Sequence, residues 1–438
     1  MAGQYSLETV VNALASSSVN GEWSSDAICR RWQQLVGRSL KWMTTESLAI
    51  VEFFATRPSV IAAADFLRGR PAVRKSYGRV KALRLVGWNS EPWTDSAIDE
   101  IRWDLPRLRD ADDLADLLEV PTILLWQLAD HRRFHRLPLC HYRFRWIPKR
   151  SGGARLIEAP KFRLRMVQRR LLDRLIARIP AHNNCHGFRR GRSIQSHAQN
   201  HVGRQVVVRF DLQDFFASVA GARIAAIFRV CGYSDQVVQL LTRICTSQMP
   251  NRVWNMVPSE SERGVSFCTR DRLRGWHLPQ GAPTSPALAN LAAFRLDKRL
   301  SGLAACSLAS YSRYADDLYF SGDERLSRNL RGLYDCVLEI AADEGFEINP
   351  RKTRRMKKSI RQHVCGLTVN SGVNSSRADF KRLRAILHNC SVHGPRSQNR
   401  DGHQDFRAHL LGQVEFHASV NPDRGERLKR QFLAIDWT

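Results

Sequence analysis

"YSRYADDLYFSG" (311–322) sets two adjacent carboxylates, Asp316 and Asp317, between aromatic and apolar residues that otherwise read as a buried hairpin. Strand interiors disfavour Asp, and an unpaired charge is costly to bury, so these two need a compensating partner. A metal ion is one candidate. A third carboxylate stands at the end of the apolar run "VVVRFD" (206–211), where a strand would deliver Asp211 to an edge that a ligand can reach. If the hairpin lies beside that strand, the cluster is too negative to persist without divalent cations. Two Mg²⁺ ions about 4 Å apart are the usual solution, one activating an attacking hydroxyl and both stabilising a phosphoryl transition state.

Between these stretches lies "LPQGAPTSPALANL" (278–291), an extended turn running into a helix for which Ser285 is the expected cap and Pro286 the first helical residue. Backbone exposed beside Gly281 could admit a nucleotide or template closely, with Gln280 as a hydrogen-bonding side chain. Around them, "ARLIEAP" and "VVVRFDL" read as strands and "FRLRMVQRRLLDRLIARI" as a basic helix, so the region from about residue 140 is α+β. Three parts are expected along the chain. Residues 1–90 read as short helices, residues 91–375 hold the mixed region, and residues 376–438 return to helix with breaks at Gly394-Pro395 and Asn421-Pro422.

The charge points to a polyanion. Sixty-eight Lys and Arg against 42 Asp and Glu give a net charge of +26. Between His131 and Phe210 stand 20 Lys and Arg but only two acidic residues, Glu158 and Asp173. A solvated basic face does not explain so long a run with so few compensating acids, and nucleic acid fits best. No apolar run long enough to span a bilayer occurs and the first residues lack signal-peptide order, so a cytoplasmic protein without a membrane partner is expected. Ten cysteines without a Cys-x-x-Cys pair point to reduced, structural thiols.

"FDLQDFF" (210–216), "LPQGAPTSP" (278–286) and "YADD" (314–317), in this order, resemble the palm motifs of reverse transcriptases. The resemblance implies a right-hand polymerase: α+β fingers and palm followed by a helical thumb, here with an N-terminal helical extension. It makes Asp211, Asp316 and Asp317 the catalytic, metal-binding carboxylates and Mg²⁺ the cofactor. Upstream, "IPKRSGGARLIEAP" (147–160) resembles the fingers hairpin, which implies that Lys149 and Arg155 reach the triphosphate of an incoming dNTP, as a point charge and a bidentate fork can. Ordinary backbone-phosphate contacts are the alternative. "GFEINPRKTRRM" (345–356) matches the segment carrying the family's palm lysine, Lys352 here, thought to protonate the departing pyrophosphate; a solvated charge is the plainer reading beside Arg351, Arg354 and Arg355. Phe216 matches the steric gate that excludes a 2′-hydroxyl, while strand alternation assigns Phe215 to the core.

The bacterial retron enzymes carry two further signatures, Asn-Ala-x-x-His and Val-Thr-Gly. "HAQNH" (197–201) and "VCG" (364–366) each match with one substitution. Ala198, His201, Val364 and Gly366 carry over as RNA-binding positions; His197 and Cys365 depart. "CHGFRRGRSI" (185–194), "DLADLLEVPTILLWQLAD" (113–130) and the end "HLLGQVEFHASVNPDRGERLKRQFLAIDW" (409–437) are also similar to that group, and no Cys/His endonuclease segment follows. The resemblance implies a noncoding RNA that is both template and primer, synthesis starting at a guanosine 2′-hydroxyl, a branched RNA–DNA product, and antiphage defence with an effector protein. An intron-type or other bacterial reverse transcriptase is the alternative within the class, and an inert RNA-binding protein the alternative outside it. Residues 1–90 lie outside the resemblance; 58–88 has a helix-turn-helix pattern, with a helical docking surface for RNA or an accessory protein as the fuller reading.

Overall fold

The structure, a computed structural model, describes residues 7–19, 22–54, 56–58, 60–79, 103–129, 140–149, 152–262 and 264–437. The described residues within Met1–Arg102, Pro106–Asp130 and Ala220–Ile244 form one compact unit, and those within Trp103–Leu105, His131–Val219 and Cys245–Thr438 another. The expected boundary near residue 90 lies outside the described residues.

In the first unit, helices Leu7–Val19, Ser25–Val36, Lys41–Phe53, Val60–Gly69 and Pro71–Arg79 pack around Leu14, Ile28, Trp32, Met43 and Ile50. Trp32 can be buried because its Nε1 donates to Leu14 O and Ser18 Oγ, both at 3.0 Å. The last two helices are joined through Arg70 alone, shorter than the three- or four-residue turn of a DNA-reading helix-turn-helix. Residues 80–88 of that pattern lie outside the described residues.

The second unit is built on an antiparallel sheet. Its strands are β3 (Val206–Asp211), β4 (Ser310–Tyr314), β5 (Asp317–Gly322) and β6 (Arg354–Lys357), in the order β4-β5-β3-β6. Earlier in the chain, β1 (Tyr142–Pro148) and β2 (Ala154–Pro160) form a hairpin; later, β7 (His363–Val364) and β8 (Leu367–Thr368) form a smaller one. β3 is central and buried on both faces, which is why it reads as a continuous apolar run. One sheet face carries Phe210, Tyr311 and Phe320 and is covered by helices Phe294–Cys306 and Leu330–Asp343, with Phe210 5.5 Å from Tyr334 between ring centres. The other face carries Val207, Arg209, Asp211, Asp317 and Tyr319.

Helices Arg377–His393, Phe406–Val420 and Pro422–Leu433 follow, interrupted at Gly394-Pro395 and Asn421-Pro422 as the sequence indicates. They close around Leu383, Leu387, Leu410, Val414, Leu428 and Phe432, and Trp437 packs 5.0 Å from Phe432. Among the described residues no helix is long and apolar enough to cross a membrane. All ten cysteines are free thiols.

Candidate active site

β3 ends at Asp211, β5 begins at Asp317, and their register sets the two directly opposite one another. The hairpin turns through Ala315, at φ 56°, and Asp316. The Asp316 carbonyl accepts from Leu212 N at 2.8 Å, which ties the turn to the end of β3. Arg209, two residues before Asp211 and so on the same face, donates to Asp317 Oδ1 from Nε at 2.9 Å and Nη2 at 2.8 Å. Lys352 Nζ donates to Asp211 Oδ2 at 3.0 Å. These cations are the partners the buried carboxylates need. Burial nevertheless pushes the Asp317 carboxyl up to about 6 against the pull of Arg209. It raises Asp211 as well, against Lys352.

The site suits a divalent cation. Asp211 Oδ1 is buried with no hydrogen-bond partner, an orphan acceptor, and the Lys352 ammonium already shows that Oδ2 takes a cation. Among the described residues no group of three or more His, Cys, Asp or Glu forms a ready-made metal cage. A small hard cation does not need one, because it keeps several waters and binds through one or two carboxylates plus substrate phosphates.

A buried network fixes the hairpin from the opposite face. Arg313, fully buried, donates from Nε to Asp297 Oδ1 at 2.8 Å and from Nη2 to Oδ2 at 2.7 Å. Its Nη1 reaches Asn290 Oδ1 at 2.9 Å and Ala315 O at 3.0 Å, and Tyr311 Oη donates to Asp297 Oδ1 at 2.8 Å. The carbonyl at the apex of the turn is thus anchored to two helices.

Comparison with known proteins identifies the family. A family model described as "Reverse transcriptase (RNA-dependent DNA polymerase)" matches residues 147–369. The retron Mx65 reverse transcriptase of Myxococcus xanthus is 40% identical over 337 residues, 75% of this chain and 73% of that protein. The chain belongs to the bacterial retron-type reverse transcriptases. The retron Mx162 enzyme of the same organism is 35% identical over 350 residues, covering 76% of this chain and 68% of that one. The Escherichia coli retron Ec86 enzyme is 28% identical over 330 residues, 74% of this chain and 88% of that one. The reverse transcriptase is therefore an RNA-directed DNA polymerase, a nucleotidyltransferase with the polymerase fold of its family.

The other expected site residues fall in two groups. Lys149 follows β1 and its Nζ lies 3.5 Å from Asp214 Oδ1, three residues after Asp211, while Arg155 is exposed on β2. Phe216 is half-buried and Phe215 buried, but both sit in a turn after β3, so strand alternation is not what separates them. Gln280 and Gly281 are held against β2: Glu158 N donates to Gln280 O at 2.9 Å, and a Cβ on Gly281 (φ 135°) would stand 2.9 Å from Glu158 O. Only glycine allows that approach. Ser285 is the first residue of its helix rather than the cap, which is Thr284; Ser285 Oγ instead donates to Pro279 O at 2.7 Å, closing the turn.

Ala198, His201 and Val364 are fully buried, away from any surface an RNA could touch, and Gly366 alone of the four is exposed. His201 lies beneath the hairpin, Nδ1 2.7 Å from Ser321 Oγ and Nε2 2.7 Å from Ser312 Oγ, so it joins β5 to β4. His197 adds a third contact, Nδ1 2.9 Å from Ser312 Oγ. Burial takes His201 down to about 3 and His197 to about 2, so both rings are neutral near neutral pH. Cys365 (φ 47°) and Gly366 (φ 83°) make the two-residue turn between β7 and β8, and Cys365 N donates to Tyr319 Oη at 3.3 Å. Both signatures thus meet in the cluster around Tyr319, two residues beyond Asp317. Arg209, Asp297 and Arg313 were missed in the sequence. Arg209 had a signal, its even spacing from Asp211; the other two had none local to them.

Proposed function

We propose that this reverse transcriptase copies a structured noncoding RNA into DNA, starting from a guanosine 2′-hydroxyl of that RNA and leaving a branched RNA–DNA molecule that serves antiphage defence with an effector protein in the cytoplasm. What supports the reading is membership of the retron group together with one observation, the facing of Asp211 and Asp317 with an orphaned buried oxygen on Asp211. Residues 91–375 act as fingers and palm, residues 376–438 as thumb, and residues 1–90 as an extension for docking RNA or protein.

Asp211, Asp316 and Asp317 would hold Mg²⁺, which when bound would supply activation of the attacking hydroxyl and offset charge on the transferring phosphoryl group. Lys149 and Arg155 take the nucleotide's phosphates, and Gln280 and Gly281 line its pocket. Phe216 stands against the sugar. Lys352, 3.0 Å from Asp211, is placed to give a proton to the departing pyrophosphate. Ala198, His201 and Val364 act from within by setting the floor under the hairpin, and the exposed turn at Gly366 is the part of the two signatures that RNA can reach.

Purified enzyme should carry a DNA joined to one specific RNA by a 2′–5′ bond. Denaturing gels before and after a debranching enzyme read this out. A shift on debranching is expected; DNA carrying an ordinary 3′-linked primer would replace the branched reading with an intron-type one.

A further inference from the structure

Phe188 (φ 56°), Asp214 (φ 48°) and Ala315 (φ 56°) are among the described non-glycine residues that hold left-handed backbone. Such conformations persist only where the surroundings enforce them, and they gather at functional sites. Ala315 forms the hairpin turn, and Asp214 is held by Lys149 and by Thr269, which donates to Oδ2. Phe188 has neither account. The residue is 51% exposed and contributes little to the core.

The chain just before it explains how the ring is held out. His186 N donates to Arg313 O and Arg313 N to Asn184 O, each at 2.8 Å, so this segment runs along β4. Asn290 Nδ2 then grips Gly187 O at 2.8 Å. A Cβ on Gly187 would stand 2.5 Å from Ala315 N, so the backbone lies hard against the turn that carries Asp316. The next residue is forced away from the sheet. Its ring centre lies 6.3 Å from Phe216 and 6.4 Å from Tyr314, within the range of interacting aromatic pairs. Phe216 is backed on another side by Phe215, at 5.7 Å, which itself rests on Phe346 at 5.7 Å.

We propose that Phe188 is a specificity-determining residue, an exposed ring held in strained backbone so as to fix where the Phe216 ring stands and thereby share in selecting deoxynucleotides over ribonucleotides. The proposal rests on the reading of Phe216 as the ring facing the sugar. With Phe188 gone, Phe216 keeps its support from Phe215 but is free to swing on the side that Phe188 closed, and a 2′-hydroxyl gains room.

The test is extension of a primed RNA template with one dNTP or its matching rNTP, comparing kcat/KM for the two sugars, alongside thermal melting. Phe188→Gly removes the ring and the strain together, because glycine adopts this backbone freely. Melting should therefore hold or rise while sugar discrimination falls by about tenfold, the low end of what pocket shape achieves. Phe188→Tyr should keep discrimination, and Phe188→Gly added to Phe216→Ala should lower it no further, since the two act as one unit. If Phe216→Ala relaxes sugar choice while Phe188→Gly does not, the proposal is overturned and the role of Phe216 stands. If Phe216→Ala leaves sugar choice unchanged, the reading of Phe216 and this proposal fall together. Discrimination lost by Phe188→Gly only in step with lost folding also overturns it.

Discussion

Arg209 reaches Asp317 diagonally across neighbouring strands, with two guanidinium nitrogens on one carboxylate oxygen at 2.9 and 2.8 Å. The contact answers how a strand-borne Asp is tolerated inside this sheet: the guanidinium compensates the charge and leaves the second oxygen for a ligand. It also works against burial, lowering the pH at which that carboxyl ionises.

The Asp317 carboxyl, ordinarily at 3.8, is held at about 6 by burial, with Arg209 as the main opposing influence. A cation needs the ionised form and competes with the proton for it, so synthesis should fall on an acid limb no higher than about pH 6. Arg209→Gln removes the opposing charge, so the limb should move to higher pH. Stability runs the other way. Because the folded pKa lies above the unfolded one, the folded state binds the proton more tightly; that contribution is full below 3.8 and is lost as pH rises through about 6. Rates and melting curves measured across pH 4.5–8, roughly the working span of such linkage, should show Arg209→Gln shifting the acid limb upward. An unmoved limb would detach Asp317 from the chemistry.

Arg313→Met should destabilise strongly, by about 3–5 kcal/mol, because it leaves Asp297 buried without its counter-charge. Urea unfolding measures this. The double change Arg313→Met with Asp297→Leu should recover much of the loss, since no charge then remains uncompensated. A single change costing no more than a surface substitution would show that the network does not hold the hairpin.

His201→Ala leaves the Ser312 and Ser321 hydroxyls and a cavity beneath the hairpin, at a cost of about 2–4 kcal/mol. RNA affinity of the folded protein, measured at fixed salt, should stay at the wild-type value because the ring reaches no surface. Weakened RNA binding with unchanged melting would instead indicate direct contact.

The carboxylates were readable because each is marked by a local contrast, a charge set in an apolar strand, and the register of β3 on β5 then made Asp211 and Asp317 neighbours. The helices after residue 376 were readable from their Gly-Pro and Asn-Pro breaks. What failed was local inference applied beyond its element. Phe215 and Phe216 were separated by strand alternation, yet the chain has left β3 before reaching them. Ser285 looked like a cap because Ser before Pro so often is one, but its hydroxyl is engaged by Pro279 O inside the turn. Partners far apart in sequence were invisible: nothing near Asp297 announces Arg313, and nothing near Gly187 announces that Ala315 crowds it. Ala198 and His201 showed the reverse difficulty, since a family signature marks a position without saying whether it faces ligand or core.

Primer extension by Asp211→Asn on an RNA template with Mg²⁺ tests the central claim most directly. The substitution keeps the size of the side chain and the Oδ contact to Lys352 while removing the charge that holds a cation. DNA synthesis should fall to background while melting temperature and RNA retention stay near wild type. A folded Asp211→Asn enzyme extending primers at a rate close to wild type would contradict the assignment of Asp211 and Asp317 as the carboxylates that carry the reaction.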